Sequence, residues 1–291
     1  MIELRRHIMS IKTDIEDDSL FYIESLEDGN EILLDDSTWM GTNIGHFFYS
    51  LNKNSWNPLP ASVILNKNRK IYFTSSGENL QKNSSNSKPL FKSSLQVNIG
   101  GDIKGLLFPN NSPQKYGCMC LFLNCKIVNA DKLVLPIVGN GSPYYFESMF
   151  YNCVLLEYAP EIPTECMTAQ YMYRNMFNGC ERLIKPPSYI GNGCMYCSHE
   201  GMFENCKSMT ESPVITINYS TYSFRRMFKN CESLSKITCI NSGNNSVASA
   251  FTDWVLGVPT TGLFLKRKGV EWSVGTNGIP DGWIIKDYEQ Q

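Results

Sequence analysis

Met202-Phe203-Glu204-Asn205-Cys206 decides the reading of this chain, because nearly the same five residues return at regular intervals. The phrase is MFYNC at 149–153, MFNGC at 176–180 and MFKNC at 227–231, with a looser LFLNC at 121–125. Its cysteines, Cys125, Cys153, Cys180, Cys206 and Cys231, are 28, 27, 26 and 25 residues apart. A period of this size marks an array of stacked units, since a unit of about 25 residues cannot bury its own apolar face.

Aligning the copies brings out further columns. Phe122, Phe150, Phe177, Phe203 and Phe228 fall together, each preceded by Met or Leu. Leu156, Leu183, Met209 and Leu234 follow their cysteines by three residues, and Pro136, Pro160, Pro186 and Pro213 follow after that. Free cysteine behaves as a small buried hydrophobe, so the five phenylalanines and five cysteines are expected to form a structural ladder inside the stack. Leu123, Tyr151, Asn178, Glu204 and Lys229 vary freely at the middle of the phrase, which places that column toward water. Asn124, Asn152, Asn205 and Asn230, with Gly179 as the exception, are expected to bond backbone groups at a turn. Each unit reads as a short helical turn around YMYRNMF (171–177) or YSFRRMF (222–228), a turn at Asn-Cys, and a short strand ending near the proline.

The pattern M-F-x-N/G-C-x-x-L with a following strand and proline resembles the BspA-type leucine-rich repeats of Bacteroidetes. The segment MFYNCVLLEYAPEIPTECMTAQYMYRNMFNGCERL (149–183) is similar to repeats of Bacteroides surface proteins and of phages infecting those bacteria. The resemblance covers residues 117–291. It implies an α/β solenoid of leucine-rich-repeat type, with a five-unit array over 116–250, and a binding or adhesion role without catalysis. The tail WVLGVPTTGLFLKRKGVEWSVGTNGIPDGWII (254–285) resembles the β-hairpin that closes such arrays, giving a cap over 251–291. There Phe251 is expected to continue the phenylalanine column, with Asp253-Trp254 in place of Asn-Cys.

Residues 1–115 carry no copy of the phrase. Strand-like segments LFYIESL, HFFYSLN, KIYFTS and LQVNIGGDI, separated by Asp-Gly, Asn and Ser/Pro clusters, predict a small all-β sandwich that anchors the array. YSLNKNSWNPL reads as strand, turn, strand with Trp56 packing inward, and the polar stretch at 80–94 reads as a long exposed loop. The boundary is expected near 105–118.

Composition narrows the functional classes. Lys and Arg total 26 against 28 Asp and Glu, so nothing electrostatic points to nucleic acid. No run of apolar residues is long enough to cross a membrane as a helix. Eleven cysteines are rich for 291 residues, but their number is odd, the chain is not small and five of them follow the repeat, which speaks against a disulfide framework. Cys194-Met195-Tyr196-Cys197-Ser198-His199 opens like a zinc site, but Cys206 belongs to the ladder and no second C-x-x-C follows, so no metal or cofactor is expected. The histidines are His7, His46 and His199, none of them in a catalytic motif, and an enzyme is not expected.

Binding has a better lead. Tyr144, Tyr145, Tyr171, Tyr173, Tyr196, Tyr219 and Tyr222 recur upstream of the phenylalanine column. Either half of each pair packs on the neighbouring unit, or the tyrosines line one face of the stack. Tyrosine, with an apolar body and a polar tip, suits contacts with sugar or protein. The N-terminal apolar run is broken by Lys12, Asp14, Glu16, Asp17 and Asp18 and fails as a signal peptide. The expectation is therefore a non-catalytic phage virion component, homo-oligomeric, contacting other virion proteins and a host glycan or protein. A bacterial surface or secreted adhesin is the alternative.

Overall fold

The computed structural model describes residues 20–35, 39–40, 47–58, 60–75, 81–82, 88–107, 116–139, 141–191, 193–241 and 248–289. The N-terminal run tested as a leader, His7, His46 and the centre of the expected 80–94 loop lie outside the described residues, as does most of the expected boundary.

The N-terminal strands are β1 (Tyr22–Ser25), β2 (Asn30–Leu34), β3 (Trp39–Met40), β4 (Phe47–Ser50), β5 (Asn57–Pro58), β6 (Ser62–Leu65), β7 (Lys70–Ser75), β8 (Gln81–Lys82), β9 (Phe91–Ser93) and β10 (Val97–Asp102). The repeats supply β11 (Ile127–Val134), β12 (Tyr189–Ile190), β13 (Glu211–Ile215), β14 (Lys236–Cys239), β15 (Leu263–Lys266) and β16 (Ile284–Asp287). Helix, among the described residues, is confined to α1 (Lys104–Leu107) and a 3-10 turn at Ala248–Phe251.

Alternation dictates the N-terminal part. In β7, Ile71 and Phe73 are buried while Lys70 and Tyr72 are not, and Ile23 of β1, with Phe21 just before that strand, joins the same core. One sheet runs β11-β10-β1-β7-β4-β5 and a second β6-β2-β9. They close face to face on Phe21, Phe73 and Phe91, whose ring centroids lie 5.1 to 5.6 Å apart. The sandwich-like reading of this region fits, but the 80–94 loop needs correction. Leu90 and Phe91 are fully buried and β9 pairs with β2, because that apolar pair fills the core regardless of its polar flanks. Trp56 is half-buried.

The sheet then changes character. β10 pairs antiparallel with β1 but parallel with β11, and single bridges Asn129–Tyr158–Lys185 continue the parallel line. From there β12 through β16 form a parallel sheet in sequence order, one strand per unit. Pro213 sits inside β13 instead of ending it, and the register slips between Glu211 and Val214 where its missing N–H interrupts the ladder. β15 and β16 are parallel, so the closing segment is not a hairpin.

The α/β leucine-rich-repeat solenoid is overturned: the units are all-β, and the segments expected as helical turns are runs of tight turns. The reason lies in the backbone. In the third unit Tyr171, Asn175 and Gly179 adopt φ of 58°, 54° and 77°, a left-handed conformation every fourth residue, which no α-helix tolerates. The same places are taken by Tyr144, Ser148 and Asn152, by Cys197, Gly201 and Asn205, and by Tyr222, Arg226 and Asn230. Amides then alternate. Tyr173, Asn175, Phe177 and Gly179 donate across to carbonyls of Ser198, Glu200, Met202 and Glu204 in the next unit. Between them Arg174, Met176 and Asn178 close local turns three residues back. The segment is thus hydrogen-bonded sideways, as a sheet is, and its side chains form straight columns.

Candidate functional site

The first column is the phenylalanine ladder. Phe122, Phe150, Phe177, Phe203 and Phe228 are fully buried and stack at centroid separations of 5.4, 5.4, 5.5 and 5.9 Å. Phe251 does not extend it; Trp254 packs against Phe228 instead, tilted by 55° with centroids 5.7 Å apart. Phe251 instead ends a second aromatic column of Phe146, Tyr173, His199 and Phe224, which sequence reasoning missed because its residue type changes at each unit.

The cysteines do more than fill space. Cys153, Cys180, Cys206 and Cys231 each donate their S–H to the carbonyl of Phe122, Phe150, Phe177 and Phe203, one unit back, at 3.0 to 3.2 Å. Cys125 instead meets Ser93 Oγ at 3.3 Å, tying the first unit to the sandwich. All eleven cysteines are free. Burial pushes the ladder thiols far above their ordinary pKa, so near neutral pH they are neither nucleophiles nor metal-ready thiolates.

The asparagines bond one another along the stack rather than backbone groups. Asn152 donates to Asn124 at 2.7 Å and Asn230 to Asn205 at 2.9 Å. Where Gly179 leaves a gap, Asn205 reaches Asn178 at 3.2 Å. That asparagine and Glu204 are buried, so the middle column of the phrase does not simply face water: Asn178 Nδ2 donates to Glu204 Oε2 at 3.3 Å.

The C-x-x-C segment is assembled around hydrogen bonds. Ser198 Oγ lies 2.9 Å from His199 Nδ1 and 3.3 Å from Cys194 Sγ, while Cys206 bonds in the ladder. Burial between Tyr173 and Phe224 lowers the His199 pKa to about 3, so its imidazole stays neutral. Among the described residues no three His, Cys, Asp or Glu side chains converge as metal ligands, and no helix is long and apolar enough to cross a membrane.

The seven tyrosines separate by environment. Tyr145 and Tyr173 are core, turned inward beside Phe146 and His199, and are removed from the expected face. Tyr219 is half-buried edge-on against Phe251. Tyr144, Tyr171, Tyr196 and Tyr222 form one partly exposed row, begun by Tyr116, with centroid steps of 5.2, 4.7, 5.4 and 5.9 Å. Tyr116, Tyr144, Tyr171 and Tyr222 stand at the left-handed turn position. Cys197 holds that place in the fourth unit, and the preceding Tyr196 supplies the ring, 37% exposed.

Beneath the row runs a column of alternating charge: Glu147, Arg174, Glu200, Arg225. Arg174 clasps Glu147 Oε1 with Nε and Nη2, and Arg225 clasps Glu200 Oε1 in the same way. Arg226 adds a bond to Glu200 Oε1 at 2.9 Å. The glutamate side chains are 6% and 4% exposed, whereas Arg174 and Arg225 keep 31% and 35%. Their guanidinium carbons also lie over tyrosine rings, 4.5 Å from Tyr171 and 4.8 Å from Tyr222. Sequence reasoning missed this column, although a signal existed: in three units the charged residue follows the row tyrosine by three positions.

Comparison with family models, curated proteins and solved structures returns no match for this chain.

Proposed function

We propose that the protein is a non-catalytic binding and structural component of a phage particle, with the stacked units facing outward and the tyrosine row meeting the host surface. The observation that carries the binding role is the row Tyr116, Tyr144, Tyr171, Tyr196 and Tyr222, held on a rigid backbone ladder with Arg174 and Arg225 against its rings. Tyrosine and arginine are the side chains that carry most binding energy per contact, and a pre-ordered row loses little entropy on engagement. The particle setting rests on the resemblance of the repeats to those of Bacteroides-associated proteins and phages.

Catalysis has little to work with at the groups the sequence singled out. The ladder thiols remain protonated and His199 remains neutral, and all are sealed in the core. Two measurements test the proposal. Mass spectrometry of purified particles is expected to find this chain, and its absence removes the particle setting. Fluorescently labelled protein is expected to bind intact host cells, and the Tyr171→Ala/Tyr222→Ala variant to bind at least about tenfold more weakly; unaltered binding by a folded variant refutes the row as the binding face.

A further inference from the structure

We infer that the tyrosine–arginine column takes an acidic polysaccharide, an extended chain with an anionic group on every second sugar. This rests on the binding role proposed above and names the ligand of that same column.

Charge decides the class. The carboxylates of Glu147 and Glu200 lie underneath, 6% and 4% exposed, while the guanidiniums that neutralise them stay on the solvent side. Each arginine spends Nε and Nη2 on its glutamate, which leaves the Nη1 amino group on the opposite edge of the fork. A ligand approaching the row therefore meets cationic donors whose counter-charge is buried, and the remaining Nη1 is a charge-assisted donor to carboxylate or sulfate.

Spacing decides the pattern. Arg174 and Arg225 stand two units apart, with buried Glu200 holding the equivalent place between them. Over the same interval the rings step from Tyr171 to Tyr196 to Tyr222 by 5.4 and 5.9 Å. That step is close to the advance of one sugar along an extended β-linked chain, so the cationic places at Arg174 and at Arg225, the latter flanked by Arg226, lie one disaccharide apart. Tyr144 and Tyr171 are stacked within 7° of parallel, whereas Tyr196 stands edge-on to both Tyr171 and Tyr222. Rings that pack on one another at such different angles do not make one flat platform for sugar rings, so the cations carry the recognition.

The test is calorimetric titration of the full chain with three hexasaccharides. Two are acidic, one from hyaluronan (a carboxylate on alternate sugars) and one from chondroitin sulfate; the third is neutral cellohexaose. An acidic hexasaccharide is expected to bind at least about tenfold more tightly than cellohexaose, and to weaken as salt is raised. Arg174→Gln alone strands a buried carboxylate and risks misfolding, so the informative variant is Glu147→Gln/Arg174→Gln, which removes the exposed cation and its buried partner together. It is expected to keep its melting temperature and lose at least about tenfold in acidic-glycan affinity. Equal affinity for acidic and neutral chains, no binding of either acidic chain, or full affinity in the folded double variant overturns the inference. Retained binding to intact host cells in any of those cases leaves the binding role standing and rejects only the acidic glycan; loss of cell binding as well rejects both.

Discussion

Replacing Phe203 with alanine removes an interior rung of the phenylalanine ladder. Its ring is fully buried, 5.5 Å from Phe177 at 4° and 5.9 Å from Phe228 at 8°, so no solvent-facing edge lets the site collapse cheaply. Truncating a buried phenylalanine costs about 3–5 kcal/mol, including the cavity left behind. Against a total stability of about 5–15 kcal/mol, that is a large fraction. At about 2–4 °C per kcal/mol for a chain of this size, the melting temperature is expected to fall by roughly 6–20 °C. Phe203→Leu keeps most of the volume and is expected to cost under about 2 kcal/mol. Tyr151→Ala, at an exposed place beside the same ladder, is expected to stay within about 0.5 kcal/mol of the parent. Urea titrations with circular dichroism give the three midpoints and slopes. A Phe203→Ala protein melting within about 1 °C of the parent would refute the shared dry interior.

The left-handed turn at Asn205, φ 65°, predicts that Asn205→Ala costs about 1–3 kcal/mol and that Asn205→Gly recovers the backbone share, read from the same denaturation curves. Equal losses in both variants would show that conformation is not the cause. His199 gives an acid-sensitive stability. Its pKa falls from 6.5 in the unfolded chain to about 3 in the fold, so its contribution is fully present above about pH 6.5 and is lost at about 1.4 kcal/mol per unit as pH drops toward 3. His199→Phe matches the phenylalanines in its column and is expected to flatten that slope in melting curves between pH 4 and 7; an unchanged slope rejects the assignment. Thiol labelling of the native protein is expected to spare Cys153, Cys180, Cys206 and Cys231 and to modify them on unfolding, as shown by peptide mass mapping. Rapid native labelling of any of the four would contradict their burial.

The sequence makes the array legible because equivalent core positions demand equivalent side chains. Period, phenylalanine column and cysteine column are all visible in the five copies of one phrase. The helical turn was misread for a definite reason. Runs such as YMYRNMF bring their apolar residues together at helical spacing, yet the Asn or Gly before each cysteine is the visible member of a left-handed series. Asn175 and Gly201 signal it too, but the remaining members are Tyr, Ser, Cys and Arg, residues that do not advertise this conformation, and the cross-unit bonds that support them are not local. The tyrosine row was half legible: tyrosines at one period were plain, but which of two neighbours turns inward depends on where the left-handed turns fall. Tyr144 stands at a left-handed turn and is half-exposed, whereas Tyr145 after it is buried. The Glu147–Arg174–Glu200–Arg225 column went unread because its members differ in sign, and a search for identity cannot see complementarity.

Contacts between ring protons in protein labelled only at phenylalanine test the stacked-rung account most directly. Nuclear Overhauser effects are expected between Phe150 and Phe177, Phe177 and Phe203, and Phe203 and Phe228, with none between Phe150 and Phe203. Missing neighbour contacts, or contacts that skip a unit, would contradict it.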